Sequence, residues 1–272
     1  MTNTLSQTEI VNIVKVVKAA KSGKLESKKT VDHMRSRTTQ KTMQLVKTAE
    51  RELMHIGAEI ATLLDKDPDI DVENKVKPEF RSRVGSIIAN TVRESYLLGL
   101  HFVENFEKQT IKFTEDQTHK MNMQIDEEIQ RFWNNVKSIQ DKQLKKKYET
   151  ETNIFGASFG FDLAAAFSTF AKNLTVSMSF LALGDSTVLS KNQAYQQQIR
   201  VGNVGITATA ILEAPKMIWV SERDGRVCPE CKNLDGLVFS IDDPSLPRPV
   251  RSTHFGCRCR LLPIDGGRVF NA

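Results

Sequence analysis

The sequence predicts an α+β protein: a long, mainly α-helical N-terminal region over residues 1–150, then a small α+β domain over residues 151–272. Three observations carry this. Apolar residues recur at steps of three and four through much of the first 150 positions, the spacing of one helix face. Composition shifts near Asn153, where phenylalanine, alanine and leucine replace charge. From Gly202 onward, β-rich runs alternate with Asp-Gly turn signals, and all four cysteines fall in that part.

Ile10, Val11, Ile13, Val14 and Val17 mark a first helix over residues 5–20, with Gly23 as its C-terminal cap. A second helix is expected from Ser27 to Asp65, where Val46, Ala49, Leu53, Ile56, Ile60 and Leu63 form a seam of coiled-coil spacing. Asp67-Pro68 breaks it. A third starts near Pro78, since proline suits a first turn, and runs through Phe80, Val84, Ile87, Thr91, Leu97 and Leu100 to Glu107. A fourth carries Ile125, Ile129, Phe132, Val136 and Ile139 and ends in Lys142, Lys145, Lys146 and Lys147, cations that complement a helix C-terminus. Such narrow stripes bury little area alone, so this extended region is expected to pack on itself, on other subunits or on further copies of the chain.

Phe155, Phe159, Phe161, Phe167, Phe170 and Phe180 predict a buried helix or two, opened by Gly156 and Gly160 and ending at Gly184-Asp185. A further helical piece is expected over 190–200. The plain reading is the core of the C-terminal domain; the sharper one is a segment that inserts into a neighbouring subunit or a membrane. Lys172 and Asn173 interrupt the apolar stretch, so no stable membrane span is expected. Strands follow at 206–211, 216–221, 237–241 and 258–264. Asp224-Gly225 and Asp235-Gly236 are the turn signals, and Pro244, Pro247 and Pro249 make the 242–250 loop irregular.

The cysteines are arranged as Cys228-Pro-Glu-Cys231 and, after a gap, His254-Phe-Gly-Cys257-Arg-Cys259. Two residues between thiolates let both sulfurs face one ion, and a returning segment can close a tetrahedral site, so zinc is expected. Two disulfides or four free thiols are the alternatives. The polar opening Met1-Thr-Asn-Thr-Leu-Ser-Gln has no signal-peptide character, which implies synthesis in a reducing cytosol where disulfides are rare. Cys228, Cys231 and Cys257 are three ligands, and His254 or Cys259 is the fourth. Four protein ligands leave no open position, so the ion is structural. It would pin a module over residues 219–264 that has little apolar sequence of its own.

No catalytic constellation is found. Phosphate-loop, nucleophile-elbow and H-E-x-x-H patterns are missing, and His33, His55, His101 and His119 are scattered over helices. The chain is therefore expected not to be an enzyme. A net charge of +5 permits contact with nucleic acid without requiring it. Arg248, Arg251, Arg258 and Arg260, or Lys142 and Lys145–Lys147, could meet phosphates or a partner's carboxylates. The plainer reading is a basic loop and a solvated helix end.

The run Trp219-Val-Ser-Glu-Arg-Asp224-Gly-Arg226-Val-Cys228-Pro-Glu-Cys231, then Leu234-Asp-Gly236 and His254-Phe-Gly-Cys257-Arg-Cys259, resembles the C-terminal domain of the phage Mu F-like minor head proteins, or phage head morphogenesis family, over about 199–265. The Ile199–Gly205 stretch departs from the family's upstream element. The resemblance implies a minor head protein of a tailed phage or provirus, made in the host cytoplasm. It would be located in the virion, in the capsid interior or at the portal vertex. The implied partners are the portal protein, other capsid or scaffold proteins and, non-specifically, double-stranded DNA during packaging or ejection. The alternative is a zinc-containing nucleic-acid-binding protein.

Overall fold

The computed structural model describes residues 25–107, 110–152, 162–205, 215–222 and 224–264. The expected helix at 5–20, the strand at 206–211, Gly156, Gly160, Phe155, Phe159 and Phe161 lie outside them. Four long helices dominate: α1 (Leu25–Lys66), α2 (Lys77–Glu107), α3 (Glu115–Thr152) and α4 (Leu163–Gly205). A three-stranded sheet follows, with β1 (Lys216–Val220), β2 (Val238–Ser240) and β3 (Arg260–Ile264), and a short α5 (Pro229–Leu234) lies between β1 and β2. The α+β class with a helical N-terminal part is the one expected.

The helices run up-down-up-down around α4. Gly57 of α1 meets Phe167, while Val46 packs with Val176 and Phe180, so α1 is antiparallel to α4. Gly99 of α2 meets Ser186, and Leu100 and Val103 cluster with Ala194, so α2 runs parallel to α4. On α3, Gln117 bonds Ser190, Gln124 bonds the Met178 carbonyl and Phe132 packs on Phe170, so α3 is antiparallel. One buried cluster takes residues from all four helices, from Ala49 to Ala182. The core thus draws on helices from both sides of residue 150. The thin stripes of α1–α3 find their missing apolar partner in the phenylalanine-rich α4.

Register differs from expectation at particular residues. Leu64, not Leu63, completes the buried row of α1. On α2 the buried row is Phe80, Val84, Ile88, Val92, Tyr96 and Leu100, while Leu97 is 38% exposed. Steps of four carry a stripe about 40° round the helix each time, so the row winds to follow its neighbours. A π-helical turn, Val72–Val76, precedes α2; Asp71 caps it by accepting from the Asn74 N–H at 3.0 Å. Its Val72 and Val76 are core residues. The helix α3 continues past the lysines to Thr152, so those lysines do not form its last turn. No break occurs at Gly184-Asp185 either. Gly184 lies against the Pro249 ring, and Asp185 is paired with Arg248 and Arg251, so tertiary partners override the local turn preference.

The sheet has order β2-β1-β3, antiparallel throughout. Met217 and Trp219 project from one face of β1 into a second core shared with Val188 of α4, Leu246, Leu261, Cys231, Cys257 and Cys259. Asp224-Gly225 does not close a two-residue hairpin; the β1–β2 connection is longer and contains α5. Gly236, at φ +84°, makes the return, donating its N–H to the Trp219 carbonyl at 2.8 Å.

Candidate metal centre

Cys-Pro-Glu-Cys folds as a helix start. Cys228 is the N-cap of α5, and its Sγ accepts from the Cys231 N–H at 3.3 Å. Pro229 occupies the first turn, where its fixed φ is favourable. The second arm is a turn in which the Cys257 N–H donates to the His254 carbonyl at 3.2 Å, with Gly256 at φ +83°. Cys259 then leads into β3.

These arms bring all five candidate donors together. Cys231 Sγ lies 3.6 Å from His254 Nε2 and 3.6 Å from Cys257 Sγ. The ligand atoms of Cys228, Cys231 and His254 lie within 4.8 Å of one another, as do those of Cys231, Cys257 and Cys259. Two atoms bound to one tetrahedral zinc lie ~3.8 Å apart for two thiolates and ~3.6 Å for thiolate and imidazole. The Cys231–His254 and Cys231–Cys257 separations fit a shared ion. All four cysteines are free thiols, so no disulfide competes for them. Cys231 belongs to both sets, and both His254 and Cys259 adjoin it.

The electrostatics suit a thiolate site. The hydrogen bond from the Cys259 thiol, first among several, holds Cys257 down at about 5. Cys259, the donor, is pushed up accordingly. Burial, followed by the bond with Cys228, raises Cys231 to about 12. Cys257 thus favours the thiolate, and an arriving cation would displace protons from the other thiols. His254 Nδ1 lies 3.0 Å from the Phe255 carbonyl, which can only accept. The ring proton therefore sits on Nδ1 and leaves the Nε2 lone pair for the sulfur side.

The four arginines named as anion contacts have partners inside the protein. Arg258 donates to Asp224 at 2.8 Å and holds that carboxyl below its usual range. Arg260 is 1% exposed, bonds Glu222 and Thr39, and lies over the Phe180 ring at 5.7 Å. Arg248 reaches Asp185 at 3.8 Å, and Arg251 reaches Asp185 at 3.8 Å and Glu127 at 3.9 Å. Arg258 pairs within the module, while Arg260, Arg251 and Arg248 fasten the module to α1, α3 and α4. A sequence shows unpaired arginines; Asp185, Glu222 and Thr39 carried no signal that they were the partners. Among the histidines, His55 and His101 pair with Glu59 and Glu104 on exposed helix faces.

Residues 166–262 match the Phage Mu protein F like protein family. The F-like match begins in α4, earlier than the 199–265 over which the cysteine motifs carry the resemblance, and ends in β3. It therefore takes in the central helix together with the module docked on it. No match is found among the curated proteins or the solved structures. No described helix is long and apolar enough to cross a membrane.

Proposed function

We propose that the protein is a head morphogenesis protein of a tailed phage or provirus, a minor component of the capsid whose C-terminal module is pinned by one structural zinc ion. The F-like match over 166–262 carries the reading. The five-donor cluster supports zinc, because soft thiolates with one imidazole favour it over oxygen-seeking ions, and Cys231, Cys257 and Cys259 are buried. Cys228, Cys231 and Cys257, with His254 or Cys259, would hold the ion, which supplies cross-linking of two loops and no reaction.

In this reading the protein joins the procapsid and docks near the portal vertex, within reach of packaged DNA, beside the portal and other capsid or scaffold proteins. It is made in the host cytoplasm, performs no catalysis and resides in the virion. The test is mass spectrometry of purified virions together with affinity capture of the portal protein encoded in the same genome. Presence in particles at low copy and co-purification with portal are expected; absence from particles sinks the proposal. Nucleic-acid binding as the main task is the second reading. The engaged arginines weigh against it, and salt-dependent DNA retention by the purified protein would favour it.

A further inference from the structure

One face of α4 seats the loop that carries the second set of metal donors. Phe170, Asn173, Ser177 and Gly184 fall at spacings that share a helix face; Phe170 and Ser177 contact the 248–257 loop, and Asn173 and Gly184 lie beside it. Phe255 stacks on Phe170 with ring centroids 6.5 Å apart, and Arg131 of α3 lies 5.7 Å from the Phe255 ring. The Gly256 N–H donates to Ser177 Oγ at 2.7 Å, and a side chain at Gly256 would meet Asn173 at 3.4 Å. Pro249 lies against Gly184.

Within the loop, Val250 has φ 69°. The Arg251 N–H donates across it to the Pro249 carbonyl at 2.8 Å, a tight turn that a β-branched residue adopts only when its surroundings impose it. The residues flanking Val250 are the imposing groups. Arg248 and Arg251 both reach the half-buried Asp185 at 3.8 Å, and the Val250 N–H donates to Thr253 Oγ1 at 3.2 Å. Release of Asp185 would let the turn relax, and His254 and Cys257 would lose their place opposite Cys228 and Cys231.

We propose that Ser177 and Asp185 of α4 are positioning residues for the metal centre: they hold the 248–257 loop in the strained form that presents His254 and Cys257 to the ion. The inference rests on the cluster being a metal centre. It makes α4 part of that centre although none of the five candidate donors lies on α4. Because linkage is reciprocal, a group that the metal helps to dock must itself strengthen metal binding.

The experiment measures zinc affinity of the full chain by competition with a chromogenic chelator, in the wild type and in Asp185→Asn, Ser177→Ala and Ser190→Ala. Ser190 is a control, a buried α4 hydroxyl bonded to Gln117 away from the loop. About tenfold weaker zinc binding is expected for Asp185→Asn, a smaller loss for Ser177→Ala and none for Ser190→Ala. Equal affinities in all four proteins overturn the inference while leaving the zinc centre standing. A wild type that takes up no zinc overturns both. Should Asp185→Asn fail to fold, Ser177→Ala decides against the control.

Discussion

Cys231 belongs to both donor sets, so its loss is expected to be the most damaging single change at the centre. Cys231→Ser should abolish stoichiometric zinc by elemental analysis, and retention of one zinc per chain would exclude it as a ligand. His254 and Cys259 separate by the same measurement. His254→Ala should weaken zinc more than Cys259→Ser, because the Nδ1–H bond to Phe255 already aims Nε2 at Cys231; the reverse order would show an all-sulfur site. A different residue-scale effect belongs to Glu128. Its side chain has no exposed surface, and burial pushes the carboxyl up to about 7 from 4.5 despite two bonds from Arg131. The folded state therefore holds this proton between those values, and its stability falls as pH rises through that window. Glu128→Gln should raise the melting temperature at pH 8 relative to wild type, with the gain shrinking toward pH 4.5. A gain of about 1 kcal/mol, well under the full shift, allows for the Arg131 bonds that are lost. A gain that grew on acidification would contradict the assignment.

At the scale of elements, contact between α2 and α4 depends on a glycine. A Cβ at Gly99 would stand 2.7 Å from Ser186 Cβ and 2.9 Å from the Leu183 carbonyl, and backbone cannot yield as a side-chain tip can. Gly99→Ala is expected to cost about 1–3 kcal/mol through overpacking. Gly85→Ala, whose nearest neighbour would be Ile129 at 3.7 Å, should instead stabilise by about 0.5–1 kcal/mol, because alanine loses less backbone entropy in a helix. Chemical denaturation of the two variants checks the pair, and a similar loss in both would show that the α2–α4 spacing is not set at Gly99. The same scale explains why periodicity located the helices better than their faces. Leu63 and Leu64, or Ile87 and Ile88, are equally apolar neighbours, and only the direction of the covering helix selects between them.

For the whole molecule, two assemblies meet on α4: the bundle core and the metal-pinned module. Chelation is expected to lower the melting temperature of the module while most far-UV helical signal persists, since α1–α4 have their own core. An unchanged melting profile in metal-free protein would show that zinc contributes nothing to folding. The shared core makes a second prediction. A fragment of residues 1–150 lacks α4 and leaves Leu53, Ile88 and Phe132 without cover. It should be partly helical, bind a hydrophobic dye and self-associate; a stable, dye-silent monomer would mean that α1–α3 suffice.

Helices α1–α3, strands β1–β3 and the two cysteine arms were legible in the sequence because each is signalled locally. Helix spacing, Asp-Gly turns and the Cys-x-x-Cys motif act over a few residues, and the order of motifs near the cysteines carried the family resemblance. Tertiary structure alone decided the rest. It put α4 at the centre of a bundle, where the phenylalanines of the second half cover the stripes of the first. It carried that helix through Gly184-Asp185, a pair that reads as a stop until Pro249, Arg248 and Arg251 fold back onto it. It also paired the four arginines with Asp224, Glu222, Thr39, Asp185 and Glu127. A charge in a sequence has no address; which partner neutralises it depends on contacts between residues as far apart as Thr39 and Arg260, which only the packed chain brings within bonding distance.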